Sequence, residues 1–292
     1  MAEIKKIGLF IPTLNAGQFF ENVLNSISIQ KIDFQIEKLI IDSGSVDKTV
    51  NLAVEYGFKV VEINKSEFNH GATRNMAVEI LNDCEFVVMM TQDVVLADSD
   101  SINNLIMAMI DNENIFMAYG RQIADELNGS WFEKRARQFN YPSQSKIKNK
   151  SHIEELGIKT AFASNAFSAY NTGKFKRLGG FPASLNFSED MYIAAKAILK
   201  GYNIFYESKA IVFHTHNYSL KEEFLRYVEI GKFHKSQRWI QDEFGKNEKE
   251  GIKSVLNETN QLIKEKKFHL IIKLFLLNVV KYLGYKKGLL YK

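Results

Sequence analysis

Within the first 110 residues, short unbroken apolar runs alternate with segments of helical spacing, and no other feature constrains the fold as tightly. Ile7–Ile11, Leu39–Ile41, Phe58–Ile63 and Phe86–Met90 read as strands covered on both faces. Phe20, Val23, Leu24 and Ile27 recur at helical spacing between the first two. Asp47–Tyr56 predicts a helix stopped by Gly57. Met76, Ala77, Ile80 and Leu81 mark another helix, and a further one lies near Ile102–Ile110. The pattern predicts an α/β fold, a mostly parallel central sheet with helices on both faces. Ligands in such folds sit beyond the carboxyl ends of the strands.

Polar residues cluster at those ends. They are Thr13 and Asn15 in IPTLN, Asp42 in IIDSGSVDKT, Asn69-His70 beyond the third strand, and Thr91-Gln92-Asp93 in VVMMTQDVVL. Each alone suits a cap or turn, but on one sheet edge they would share one crevice. Asp93 follows an apolar strand, and an unpaired charge at a strand mouth is costly. A hard cation, Mg²⁺ or Mn²⁺, would satisfy it and could bind a diphosphate. Its alternative role is to cap the next helix, for which Asp98 or Ser99 is better placed. FNHGATRN opens a helix with a glycine, Arg74 and two amides, groups suited to phosphate oxygens. No GxxxxGK[ST] loop occurs. Ser188-Glu189-Asp190 opens a helix over Met191–Lys200, either as caps and dipole acids or with one carboxylate as general base. His214 and His216 fall on one face of a strand. Two histidines and a carboxylate could make a zinc site, but HExxH spacing is absent.

Beyond about residue 115 the alternation breaks down. Ile115–Tyr119, Ala161–Tyr170, Ile204–Tyr206 and Ala210–Phe213 read as strands, and the polar Pro142–Lys150 as a mobile loop. Ser219 and Glu222 have capping-box spacing, and from there to Lys292 the chain reads as helical. At 292 residues and 46% apolar, the chain forms one large domain, or a domain with an appendage, and is not disordered. The single cysteine, Cys84, cannot form an internal disulfide and suits a reducing compartment. The apolar run near the start is too short for a signal peptide.

Taken in order, these segments resemble glycosyltransferase family 2, of the type A nucleotide-sugar fold, over roughly residues 5–235. IIDSGSVDKT is similar to the family's D-D-G-S-x-D-x-T segment, with Ser43 in place of the second acid. TQD stands where the family has D-x-D. Leu178-Gly179-Gly180-Phe181 followed by Ser188-Glu189-Asp190 resembles its G-G-F…E-D segment, and VFHTHNYS its later histidine. FNHGATRN, TQD and HTHNYS together look like the rhamnosyltransferase branch, which uses dTDP-L-rhamnose to build surface polysaccharides. The resemblance implies an inverting transferase. It places Thr13, Asn15 and Gln92 beside the nucleotide, with Asp42 accepting a hydrogen bond from the base. Arg74 falls near the base or diphosphate. Asp93 and His214 hold the metal, and Asp190 is the catalytic base. Glu189 and His216 support the site or meet the acceptor. The roles fit the chemistry: an acceptor hydroxyl needs its proton removed, and a departing diphosphate needs a cation. A UDP-hexose donor is the alternative within the family. A catalytically idle nucleotide- or sugar-binding module is the alternative outside it.

The net charge of +4 conceals an asymmetry: Lys232 to Lys292 carry 14 Lys/Arg against 6 Asp/Glu, a net of +8, which leaves −4 on residues 1–231. No segment reaches roughly 18 uncharged apolar residues, the length of a spanning helix. Phe268–Leu283 is strongly apolar but broken by Lys273 and Lys281. Such a helix can lie in the headgroup plane with its lysines reaching lipid phosphates. The expectation is a cytoplasmic enzyme, peripheral at the inner face of the membrane and acting on a lipid-linked glycan, with the tail outside the chemistry. The alternative packs the tail on the catalytic domain or on a second copy in a homo-oligomer. Nucleic acid is not expected as a partner, because no recognisable aromatic stacking platform occurs. The chain thus divides into a catalytic domain over 1–230 and a basic helical extension over 231–292. Within the catalytic domain, about 1–120 forms the nucleotide-binding half and about 121–230 the acceptor half.

Overall fold

The computed structural model describes residues 6–245 and 248–291. Its first half runs β1 (Lys6–Thr13), α1 (Phe20–Ser28), β2 (Gln35–Asp42), α2 (Thr49–Glu55), β3 (Lys59–Glu62), α3 (His70–Ile80), β4 (Phe86–Met90), β5 (Val95–Leu96) and α4 (Ser101–Ile110). The second continues with β6 (Ile115–Ile123), α5 (Trp131–Asn140), β7 (Lys146–Lys148), α6 (Ile153–Leu156), β8 (Phe167–Asn171), α7 (Thr172–Arg177), α8 (Glu189–Leu199) and β9 (Asn203–Phe213). Helices α9 (Leu220–Ser236), α10 (Arg238–Phe244), α11 (Glu248–Lys264) and α12 (Ile271–Leu290) close the described chain, all but α10 longer than those before them.

All the strands join one sheet, in the order β3-β2-β1-β4-β8-β6-β9-β5, with β7 on β9. The strands β3, β2, β1 and β4 are mutually parallel. Antiparallel β8 then joins β4 to β6. Alternation along the strands builds two cores. Leu9, Ile11, Val88 and Met90 face α1 and α4, whereas Phe10, Leu39, Val87 and Met89 face α3 and α8. Each inward apolar side chain contributes roughly 1.5–3 kcal/mol when fully buried, which holds the strand ends in register. The β1–β2 register sets Thr13 opposite Asp42, so their loops emerge side by side.

Three expectations for the second half change. Pro142–Lys150 is not a loop throughout, because Lys146–Lys148 forms β7 on the edge of β9. The run is too short and too charged to show as a strand in sequence, and lysine is a common residue on sheet edges. Lys148 is buried, with its ammonium over the Tyr119 ring and bonded to Lys159 O and Phe162 O, and burial lowers its pKa to about 7. The strand expected over Ala161–Tyr170 covers only Phe167–Asn171, because Ser164 and Asn165 turn their side chains into the site. The two short strands expected before His214 are one strand, β9, which bulges between Glu207 and Ile211 opposite Gly120-Arg121 of β6.

The capping box at Ser219 and Glu222 opens α9 as expected. Helices α9 and α12 meet through glycines. A Cβ on Gly231 would lie 2.3 Å from Tyr285 O, and one on Gly288 2.1 Å from Val228 O. Trp131 Nε1 on α5 also donates to Glu265 Oε2 at 2.8 Å, and Arg135 ion-pairs with the same carboxylate. The tail is therefore packed on the catalytic body. The expectation of no segment of spanning length is also corrected. Phe268–Leu290 is long and apolar enough to cross a membrane by length and composition, with mean hydropathy 1.4 despite its lysines. Ile272, Phe275, Leu276, Val279, Tyr282 and Leu283 are exposed along it.

Candidate active site

Two loops at the strand mouths are joined to each other. Asp42 is fully buried and accepts from Thr13 Oγ1, Ser45 Oγ and the Gly44 and Ser45 amides, at 2.6–3.0 Å. Four donors occupy the lone pairs of both oxygens. The Asp42 carboxylate thus ties β1 to the loop after β2. Gln92 is engaged similarly, accepting from Leu14 N at 2.8 Å and donating to Leu14 O at 3.2 Å. Of the residues expected beside the nucleotide, Asn15 stands out on the exposed rim, at φ 44°, with Oδ1 accepting from Val46 N. Thr13 lies buried beneath it.

At the mouth of β4, Asp93 meets two histidines from the end of β9. His214 Nε2 and His216 Nε2 lie 2.6 Å apart and 3.4 and 3.5 Å from Asp93 Oδ2. Asp93 caps no helix, and neither does Asp98 or Ser99: the N-cap of α4 is Asp100, without a side-chain cap bond, and Ile102 N donates to Gln30 Oε1 instead. Thr91 Oγ1 instead donates to Asp93 Oδ1 at 2.6 Å and orients it. Behind the histidines, His214 Nδ1 lies 2.8 Å from Gln122 Oε1, which also accepts from Arg137. A carbonyl oxygen only accepts, so Nδ1 carries a proton, which aims Nε2 at Asp93 and His216. Burial and the neighbouring His214 lower the His216 pKa to about 4, which keeps its ring neutral. For Asp93, burial acts upward, but the hydrogen bond and charge of His214 outweigh it and hold the carboxyl below its ordinary range. A deprotonated carboxylate and two imidazole Nε2 atoms within 4.8 Å of one another suit a divalent cation, which would displace any Nε2 proton on binding.

The second half of the site lies at the start of α8. Ser188 does not cap this helix, since it sits at φ 59° with no side-chain cap bond. Such strain in a non-glycine residue gathers at functional sites. The two acids behind it diverge. Glu189 is buried on Arg74 Nη1 at 3.2 Å and accepts from Asn165 Nδ2 at 2.9 Å. Burial acts upward on Glu189, but Arg74 prevails and keeps it ionised. Asp190 is half-buried, and its oxygens accept from Asn165 N and Met191 N. Burial and the charge of Glu189 raise its pKa to about 7. Arg74 also contacts His70 Nδ1 and O and is itself buried beside Glu189.

The two halves connect. Gln122 Nε2 donates to Ser164 Oγ at 2.8 Å, and the next residue, Asn165, holds both acids. Gln122, Asn165, Glu133 and Arg137 were missed in sequence. Gln122 left a trace, a polar residue near the end of an apolar strand. Glu133 and Arg137 are an ordinary i,i+4 pair until the fold sets them behind His216.

Residues 9–179 match the glycosyl transferase family 2 pattern. The chain belongs to that family. It is also 43% identical to the O-antigen chain rhamnosyltransferase RfbN of Salmonella typhimurium, over 97% of this chain and 89% of the relative. Identity to the O-antigen chain rhamnosyltransferase WbaN of Salmonella anatum is 39%, over 96% and 88%. Two solved structures share the fold. One is the mannosyltransferase PcManGT of Pyrobaculum calidifontis in complex with GDP-Man and Mn²⁺, at TM-score 0.66 and 13% identity, covering 99% of this chain and 88% of that one. The other is S. aureus TarS 1–349 in complex with UDP-GlcNAc, at TM-score 0.57 and 18% identity, covering 97% and 90%. This family 2 member is a rhamnosyltransferase-like glycosyltransferase of type A fold.

Proposed function

We propose that the enzyme moves L-rhamnose from dTDP-L-rhamnose onto a hydroxyl of a growing, lipid-linked surface polysaccharide, releasing dTDP with inversion at the anomeric carbon. The carrying observation is the connected site of Asp93, His214, His216 and Asp190 in a chain 43% identical to an O-antigen chain rhamnosyltransferase. Asp93, His214 and His216 would hold a divalent cation, Mn²⁺ or Mg²⁺. When bound, it supplies charge to stabilise the departing diphosphate. His216 thus moves from a supporting role to that of a ligand. Asp190 takes the proton of the acceptor hydroxyl, and its raised pKa matches a base working near neutral pH. Arg74 and Glu189 position Asp190 through Asn165. Asn15 borders the nucleotide over a floor made by Thr13, Asp42 and Gln92. The exposed apolar face of α12 and the basic tail would rest on the inner surface of the membrane.

The cation site is testable without turnover. Mn²⁺ titrated into the full chain and followed by electron paramagnetic resonance should show one bound ion, and Asp93→Ala or His216→Ala should weaken it by about tenfold or more. Mn²⁺ should also increase the thermal stabilisation given by dTDP. Equal Mn²⁺ affinity in all three proteins would remove the cluster from the proposal.

A further inference from the structure

Lys148 is a buried charge outside the chemistry described so far. It is 4% exposed, and the charges acting on it are those of Lys146 and Lys159, both of its own sign. Its ammonium lies 4.9 Å from the Tyr119 ring centroid and 5.8 Å from that of Phe162. Nζ donates to Lys159 O at 3.2 Å and to Phe162 O. An ammonium buried without a counter-charge is costly, and methionine would fill similar space without that cost. What an apolar side chain cannot supply is a set of donors to backbone carbonyls.

Those two carbonyls begin the segment that joins the halves of the site. Lys159 lies in the 3₁₀ turn Gly157–Ala161, and Phe162 follows it. Two residues on, Ser164 Oγ accepts from Gln122 at 2.8 Å. Next, Asn165 N donates to Asp190 Oδ2 at 3.1 Å and Asn165 Nδ2 to Glu189 at 2.9 Å. Residues 162–166 belong to no helix or strand, so individual bonds set their path. One end of the stretch enters β8, and Lys148 holds the other. Lys148 stands on β7 opposite Ile204 of β9, so the anchor rests on the central sheet.

We propose that Lys148 is a positioning residue for the catalytic base: its Nζ fixes the carbonyls of Lys159 and Phe162 and so aims the Asn165 amide at Asp190. The proposal rests on Asp190 being that base. An amide donating to a carboxylate favours the ionised form. The Asn165 bond therefore offsets part of the upward push from burial and from the charge of Glu189. The other groups acting on or facing Asp190 are Arg74, Met191 N, Tyr141 and Tyr170, none of them bonded to Lys148. Lys148 has three N–H donors as an ammonium and two as an amine, so both carbonyls stay bonded on either side of its own titration.

The test compares the full-length enzyme with Lys148→Met in transfer from labelled dTDP-L-rhamnose to membranes from source cells lacking the protein. The acidic limb of kcat should move up by about one pH unit, the scale of one charge-assisted hydrogen bond, with kcat at pH 7 down about fivefold. Donor KM and Mn²⁺ affinity should stay within about twofold. Amide exchange of residues 162–166 should accelerate, while that of β1 and β4 does not. Gly288→Val, which perturbs the distant contact of α9 and α12, is the control and should leave the limb in place. An unmoved limb in folded Lys148→Met overturns the proposal. Disappearance of the limb also overturns it, by assigning the limb to Lys148 itself. If Lys148→Met does not fold, Lys148→Gln, whose amide sits on a shorter arm, should move the limb the same way, and an unmoved limb there overturns the proposal. A wild type without a limb near pH 7, or a fully active Asp190→Asn, overturns the base and the proposal with it. Faster exchange at 162–166 would then show that the base failed and the Lys148 tie did not.

Discussion

Asp190 and Glu189 are adjacent in sequence and burial pushes both carboxyls upward, yet their pKa values shift in opposite directions. Arg74 neutralises Glu189, and the charge of Glu189 then opposes ionisation of Asp190. A base must be ionised to accept a proton, so turnover should fall as pH drops through about 7 and level off above it. Asp190→Asn should lower kcat by about 10²-fold or more and flatten that profile, with Mn²⁺ binding retained. Near-normal turnover in a folded variant would remove Asp190 from the mechanism. At this scale the sequence made Asp93, Asp190 and the histidines legible, because polar residues at strand and helix ends are conspicuous. It did not reveal how many donors each meets. Asp42 has the position of a nucleotide ligand, and four donors of its own loops meet it. Its pairing with Thr13 depends on the β1–β2 register, which spans residues far apart in the chain.

Among the elements, the first four strands and their helices were legible because they are continuous apolar runs with a clear change of period. The rest resisted reading where side chains serve the site or an edge. Lys146-Ile147-Lys148 pairs as a strand through its backbone, which composition does not record. The contact between α9 and α12 was equally hidden, since glycines inside helices ordinarily signal weakness. Here they allow the two backbones to touch. Gly288→Val would drive a side chain into Val228 O and the Gly231 backbone, and overpacking of this kind costs about 1–3 kcal/mol. The melting temperature should fall by several degrees, at roughly 2–4 °C per kcal/mol for a chain of similar size. An unchanged melting temperature would show that the tail does not pack on α9 in solution.

For the whole molecule, one end of the sheet gathers the candidate chemistry, and the tail adds an apolar face and a net charge of +8 against −4 on the rest. Lysines near anionic lipid contribute about 1 kcal/mol each, screened by salt. The full-length protein should sediment with anionic vesicles at low salt and partly release at high salt. Failure to sediment in either condition would exclude the membrane role. Sugar transfer itself is the decisive measurement. Full-length enzyme with Mn²⁺ and membranes from source cells lacking it should be given, separately, labelled dTDP-L-rhamnose, UDP-glucose, UDP-galactose and UDP-N-acetylglucosamine. The account predicts label in the membrane glycan from dTDP-L-rhamnose alone, abolished by EDTA and restored by Mn²⁺. Transfer from a UDP-hexose with none from dTDP-L-rhamnose, or transfer indifferent to EDTA, would contradict it.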